Sequence, residues 1–245
     1  MISKVSNLSM IALASLSLAA TSASAVTVSL SANAPTEDIF KSQVAPGSYG
    51  YVSAYNYTTT PSSGYYETSV GQGFSTVGAE SQMALEAVTF LIGGFDSGVQ
   101  GKDFAINVYL CTEGEDGPLS LISSQAGELP ASLSKNYITF ALDESVVLDM
   151  DKYYMVEFAF TEPTGTGESG DKASLRPYTI GAGVDNTVGG KRWLIRDDTE
   201  QTQSSNGLVT YIAATPIPEA SSFGAVGGIV AIALLLLRKR LIRKG

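Results

Sequence analysis

Carboxylates are the main candidates for acid–base chemistry in this 245-residue sequence, because it contains no histidine. The lack of imidazole excludes Ser-His-Asp and Cys-His catalysis and most zinc or copper sites. The single cysteine, Cys111, ends an apolar run that starts at Phe104, which indicates a buried thiol and not an activated nucleophile. No GxSxG, P-loop or dinucleotide-binding fingerprint is present.

Pairs of neighbouring acids are the remaining catalytic candidates, since glycoside hydrolysis needs only two carboxyl groups. The pairs are Asp96 with Asp103, Asp143 with Glu144, Asp149 with Asp151, and Asp197 with Asp198. All of them fall at predicted strand ends or turns, where solvated acids are expected. We therefore predict no catalytic residue, and a glycoside hydrolase is the third of three functional readings.

Calcium is the one ion that the acidic turns suggest, because carboxylate and carbonyl oxygens are its usual ligands. Asp96, Asp103 and the turn Glu113-Gly114-Glu115-Asp116 are the candidate ligands. No loop has EF-hand spacing, and an excess of surface acid accounts for the pattern more simply. We expect no cofactor and no resident metal, with calcium as the alternative.

Aromatic side chains offer a second kind of chemistry, the stacking of rings on sugars. Tyr49, Tyr51, Tyr55 and Tyr57 share parity, so an extended chain places them on one face. They are candidate carbohydrate contacts, or they cover the core with their hydroxyls in water. Trp193, the only tryptophan, is likewise either an exposed sugar platform or a core anchor.

The elements that must position these side chains are short strands. Apolar side chains recur with a period of two in two segments, at Phe104, Ile106, Val108 and Leu110 and at Tyr154, Val156, Phe158 and Phe160. No amphipathic helix of useful length interrupts the middle of the chain. The predicted strands are Val26–Leu30, Gln72–Val77, Ala84–Ile92, Phe104–Cys111, Leu119–Gln125, Tyr137–Leu142, Tyr153–Phe160, Leu175–Ile180, Trp193–Arg196 and Leu208–Ala213. This spacing predicts an all-β fold, an antiparallel two-sheet sandwich.

The net charge of the middle of the chain argues against one class of binding partner. Nine basic and 23 acidic residues lie between residues 26 and 217, so that region carries a charge near −14. Nucleic acids are bound by clustered Lys and Arg, so nucleic-acid binding is not expected.

The N-terminal residues 1–25 are typical of a signal peptide. Lys4 gives the basic start, residues 8–20 form a largely apolar stretch, and Ala23-Ser24-Ala25 has the small side chains that signal peptidase requires. We predict cleavage after Ala25, with signal peptidase as a processing partner.

At the other end, residues 220–237 are free of charge and long enough to form a transmembrane helix. A basic cluster follows the helix: Arg238, Lys239, Arg240, Arg243 and Lys244. By the positive-inside rule this cluster stays in the cytoplasm, which places the ectodomain, residues 26–215, outside.

The order of Pro218-Glu219-Ala220, one apolar helix and a terminal basic cluster resembles the PEP-CTERM sorting signal. The resemblance covers residues 216–245 and departs from the family in having Ala220 where a second proline is usual. It implies processing by exosortase, a membrane-embedded protease. The order of segments over residues 70–160 also resembles the jelly-roll domains of exosortase-sorted proteins, among them Gly71-Gln72-Gly73-Phe74-Ser75.

Taken together, the sequence predicts a non-enzymatic, exported surface or matrix protein of structural or adhesive role, with extracellular polysaccharide as the expected partner. The first alternative is a dedicated carbohydrate-binding module. The predicted route is a single-pass inner-membrane intermediate with a cytoplasmic C-terminus, followed by the cell surface or extracellular matrix.

Overall fold

The computed structural model describes residues 25–36, 39–43, 50–58, 64, 66–112, 119–134, 137–168, 170–180, 192–197, 199–204 and 207–218, with the backbone alone at 39–43 and 199–204. Several predicted features lie outside these residues: most of the signal peptide with Ala23, then Tyr49, Glu219, Ala220, the membrane helix and the basic cluster. Within the described ranges, no helix is long and apolar enough to cross a bilayer.

Fourteen strands and one short 3₁₀ turn, Ser97–Val99, make up the described secondary structure. The strands are β1 Thr27–Ser31, β2 Ile39–Gln43, β3 Gly50–Tyr51, β4 Tyr55–Asn56, β5 Glu67–Ser75, β6 Met83–Phe95, β7 Asp103–Cys111, β8 Leu119–Glu128, β9 Tyr137–Leu148, β10 Tyr153–Phe160, β11 Leu175–Thr179, β12 Arg192–Arg196, β13 Thr199–Ser204 and β14 Thr210–Pro216.

These strands form two antiparallel sheets, which confirms the predicted all-β sandwich. Sheet 1 has the order β1-β9-β6-β11-β3, and β14 pairs with both β6 and β2. Sheet 2 has the order β13-β12-β5-β10-β7-β8, and β4 pairs with β5.

The core lies between the sheets and is rich in phenylalanine. Phe104 and Phe158 of sheet 2 meet Phe140 of sheet 1 with ring centroids 5.0 and 5.4 Å apart, and all three side chains are fully buried. The predicted alternation is confirmed, since Phe104, Ile106 and Val108 all point into this core. Aromatic pairs at such distances add to the free energy of apolar burial.

Each of the ten predicted strands overlaps an observed one, but some bounds were wrong. The predicted Gln72–Val77 is in fact Glu67–Ser75, because Thr68 and Ser69 are buried polar residues that the apolar pattern does not reveal. Val77 belongs to the following turn, where Gly78 adopts a φ of +80°. The short strands β2, β3, β4 and β13 were not predicted.

We expect Phe158→Ala to lower the free energy of unfolding by about 3–5 kcal/mol, because it leaves a cavity between the sheets. Urea denaturation monitored by circular dichroism measures the loss. Tyr66→Ala is the matched control, since 43% of Tyr66 is exposed, and it should change stability by less than about 0.5 kcal/mol. Equal losses for the two variants would contradict the assignment of the core.

Candidate functional site

The outer face of sheet 2 carries polar side chains in register across neighbouring strands. Glu157 of β10 lies directly opposite Asn107 of β7 on one side and Gly71 of β5 on the other. Trp193 of β12 pairs with Gly71 and completes the row. Because Val156 and the other even-numbered residues of β10 face the core, Glu157 must point to the opposite face.

Glu157 is a buried carboxylate, only 3% exposed, held by three neutral donors. The Ser69 hydroxyl donates to Oε1. Asn107 Nδ2 and the Tyr109 hydroxyl donate to Oε2 at 2.8 and 3.0 Å. Neither of the ion pairs found among the described residues involves Glu157. Three donors on two strands, β5 and β7, therefore fix the carboxylate in one orientation.

This carboxylate lines a cavity of about 240 Å³. The lining residues are Glu67, Ser69, Asn107, Tyr109, Leu119, Glu157, Ala159 and Ile195. Pockets for drug-sized ligands occupy roughly 300–1,000 Å³, so this cavity accepts one ring-sized group and not a whole oligomer. It combines two carboxylates, an amide and hydroxyls with apolar side chains.

Beside the cavity, an apolar cluster covers the rest of this face. Trp193 is 2% exposed and packs with Met155 and Cys111, so it is a buried anchor, although in this outer cluster and not in the core between the sheets. A Cβ at Gly71 would collide with the Met155 sulfur, so the glycine leaves room for this packing. The indole Nε1 has no hydrogen-bond partner among the described residues.

The predicted row of tyrosines is divided between the two sheets. Tyr51 pairs with β11 in sheet 1, whereas Tyr55 pairs with β5 in sheet 2, because the chain follows β11 as far as Ala54 and then passes to β5. Tyr55 and Tyr57 do share a face, and their rings stack at 4.5 Å and 12°. Tyr51 is 62% exposed, with the Arg176 guanidinium 6.0 Å from its ring centre.

In three of the four acidic pairs proposed from sequence, at least one carboxylate binds a neighbouring segment of the chain. Asp96 accepts hydrogen bonds from the backbone and hydroxyl of Ser174 and pairs with Arg176 at 2.9 Å. Asp149 accepts from Gln82, and Asp197 accepts from the backbone of Glu67.

The turn expected at residues 149–152 is present, with Asp151 at a φ of +54°. Asp198 and the turn 113–116 lie outside the described residues. In the described part of the chain, no group of three or more Cys, Asp or Glu side chains is placed to hold a metal ion.

Sequence reasoning missed Glu157, although a signal for it was present. The alternation used to assign the inward face of β7 and β10 also defines an outward face, and that face carries Asn107, Tyr109 and Glu157. Three polar residues at matching register on two strands that are otherwise buried indicate a polar site. Ser69 could not be linked to Glu157, since the two lie 88 residues apart in the chain.

The fold and this cavity define the protein as a β-sandwich with a polar cavity on the outer face of one sheet. No family model matches the sequence, and no curated protein matches it either.

Tyr57 should make stability sensitive to alkali. Burial, with help from Tyr55 and Asp96, raises the pKa of Tyr57 to about 12, above the ordinary value near 10. The unfolded chain therefore loses this proton first, so the stabilisation is complete below about pH 10 and disappears as the pH approaches 12. We expect urea midpoints to fall less steeply between pH 9 and 12 in Tyr57→Phe than in the wild type; parallel slopes would contradict this.

Proposed function

We propose that this protein is a non-enzymatic, exported surface or matrix protein that binds extracellular polysaccharide through the outer face of sheet 2. The observation that carries the proposal is Glu157, held by Ser69, Asn107 and Tyr109 in the wall of a cavity. A buried carboxylate fixed by neutral donors is a preorganised acceptor for ligand hydroxyls.

The chemistry of the lining favours a sugar ring. Hydroxyl groups are recognised by carboxylate and amide groups such as those of Glu157 and Asn107, and the apolar C–H face of a sugar needs an apolar wall. Tyr109, Leu119 and Ile195 supply that wall.

The negative charge of the cavity determines which class of sugar it would bind. Glu67 and Glu157 are both acidic, and no basic side chain is found among the described lining residues. Such a site repels uronic acids and other anionic sugars and attracts an ammonium group. Neutral or amine-bearing sugars are therefore the proposed ligands.

A hydrolase remains the second candidate for one specific reason, that two carboxylates line the same cavity. Glycosidases place two carboxyl groups on either side of the scissile bond. Binding without turnover is the proposed outcome, because hydrogen bonds from three protein donors already hold the Glu157 carboxylate in the cavity wall.

Export and sorting complete the proposal. Signal peptidase would cleave after Ala25, and exosortase would recognise the PEP-CTERM-like segment Pro218-Glu219-Ala220, with the helix 220–237 holding the chain in the inner membrane until then. The location of the strands supports this, since Val26 is buried and donates to the Ala126 carbonyl at 2.8 Å, and β14 ends at Pro216. Both processing segments thus flank the strands. A jelly-roll arrangement of the sandwich is part of the same proposal.

We expect the full chain in detergent to bind amine-bearing or neutral oligosaccharides on a glycan array and not uronate polymers. Glu157→Gln should weaken binding about 10–100-fold, because a charged hydrogen bond is worth about 1.5–3 kcal/mol. Isothermal titration calorimetry measures the change.

Glu128→Gln, at an exposed carboxylate on the edge strand of the same sheet, is the control and should bind like the wild type. Equal affinity in Glu157→Gln and the wild type would exclude this cleft as the binding site. Turnover in a glycoside panel, abolished by the same substitution, would replace the proposed function with a hydrolase.

For sorting, we expect mass spectrometry of the surface form, from a host that has exosortase, to show a chain without residues 1–25 and 221–245. Glu219→Ala should keep the C-terminal segment, because it removes the central residue of the sorting motif. Thr215→Ala, in the preceding strand, is the control and should be processed normally. Recovery of the intact C-terminus in the wild type would overturn the sorting proposal.

A further inference from the structure

The last strand leaves the sandwich at one end of sheet 1. Pro216 of β14 pairs with Met83 at the start of β6, and Met83 pairs with Leu148 at the end of β9. The Ile217 N–H then donates to the Gln82 carbonyl at 2.8 Å. The chain therefore departs next to the loop before β6 and the turn after β9.

These two segments, residues 76–82 and 149–152, form a tied unit that we call the exit tip. The Thr76 hydroxyl donates to the Asp149 carbonyl at 2.6 Å, and Gln82 Nε2 donates to the Asp149 carboxylate at 2.7 Å. The Gly78 N–H donates to the Asp151 carboxylate at 3.0 Å. Bonds between the two loops hold them in one arrangement beside Ile217.

The exit tip exposes large apolar side chains in an otherwise polar environment. Val77 is 49% exposed and Met150 is 42% exposed, and Val147, just before the turn, is 54% exposed. Val77 and Met150 lie in the two hydrogen-bonded segments of the tip, so exposed apolar groups occur together at this end of the domain, as they do at contact surfaces. None of the three side chains contributes to the core clusters of the described residues.

The length of chain beyond this end identifies the partner. From Pro218 to Ala220, where the predicted membrane helix starts, there are two residues, which span at most about 7 Å when fully extended. The headgroup layer of one leaflet is itself about 5–8 Å thick. A helix anchored at residue 220 therefore cannot leave the exit tip clear of the bilayer.

We infer that the exit tip rests in the phospholipid headgroup layer while the chain is held in the membrane, with Val77 and Met150 reaching toward the hydrocarbon. This inference rests on the C-terminal anchor of the proposed function.

The charged residues of the exit tip determine which lipid headgroups favour its contact with the bilayer. The tip carries Glu80, Asp149 and Asp151 against the single cation Lys152. The Asp149 and Asp151 carboxylates accept hydrogen bonds from within the tip, so they need no lipid partner. The contact is therefore apolar, and anionic lipids weaken it by repulsion.

The test measures how deeply the exit tip lies in the bilayer. A polarity-sensitive fluorophore is attached to the cysteine of Val77→Cys or Met150→Cys, and the labelled full chain is reconstituted in phosphatidylcholine vesicles. Ser132→Cys is the control, since it lies in the turn between β8 and β9, about 40 Å from the tip along the twelve residues of β9. Cys111 is 5% exposed, and the wild-type chain shows whether it takes up label. Nitroxide lipids should quench the two tip probes at least threefold more than the control.

Alkaline carbonate extraction of the same vesicles separates the two proposals. Equal quenching at all three positions, in a chain that resists extraction, would overturn the contact and leave the anchor intact. Release of the unlabelled chain by carbonate would refute the anchor and the contact with it. Stronger quenching at the tip in vesicles with 30% anionic lipid would contradict the apolar character of the contact.

Discussion

Apolar packing between the two sheets is the interaction on which the rest of this structure depends. The chain has one cysteine, so no intramolecular disulfide can reinforce the sandwich. Phe104, Phe140 and Phe158 come from three strands, and their rings lie 5.0 to 5.4 Å apart. Because the domain carries a large negative charge, this burial must also offset the mutual repulsion of its surface acids.

The same packing fixes the candidate site. Side chains alternate along a strand, so burial of Val156 and Phe158 on the inner face of β10 forces Glu157 onto the outer face. A shift of one residue would place the carboxylate between the sheets, where an unpaired charge is very costly. The strand register that the core requires therefore also decides that Glu157 faces the cavity. The three donors on β5 and β7 then hold its carboxylate there.

The sequence predicted the positions of the strands better than the contacts between side chains of different strands. Period-two patterns located β7 and β10, because a strand with one buried face displays its pattern locally. Ser69 and Glu157 meet through pairing of β5 with β10, and that contact between distant segments leaves no local trace. The prediction that the tyrosines share one face was wrong for a related reason. Odd-numbered residues such as Tyr51 and Tyr55 share a face only within one continuous strand, and the chain changes sheets between them. The predicted strand Gln72–Val77 extends too far for the same kind of reason, because an apolar residue such as Val77 can also lie exposed in a turn.

The two proposed surfaces are compatible in geometry. β10 starts at Tyr153, next to the exit tip, and Glu157 lies four residues further along, roughly 13 Å from that end. In the proposed arrangement, with the tip against the bilayer, the residues of β10 from Tyr153 to Glu157 separate the cavity from the membrane surface. A polysaccharide lying along the cell surface can then reach the cleft without displacing the tip. In this proposal, removal of residues 221–245 would release the tip and leave the cavity unchanged, so the same site would act before and after sorting.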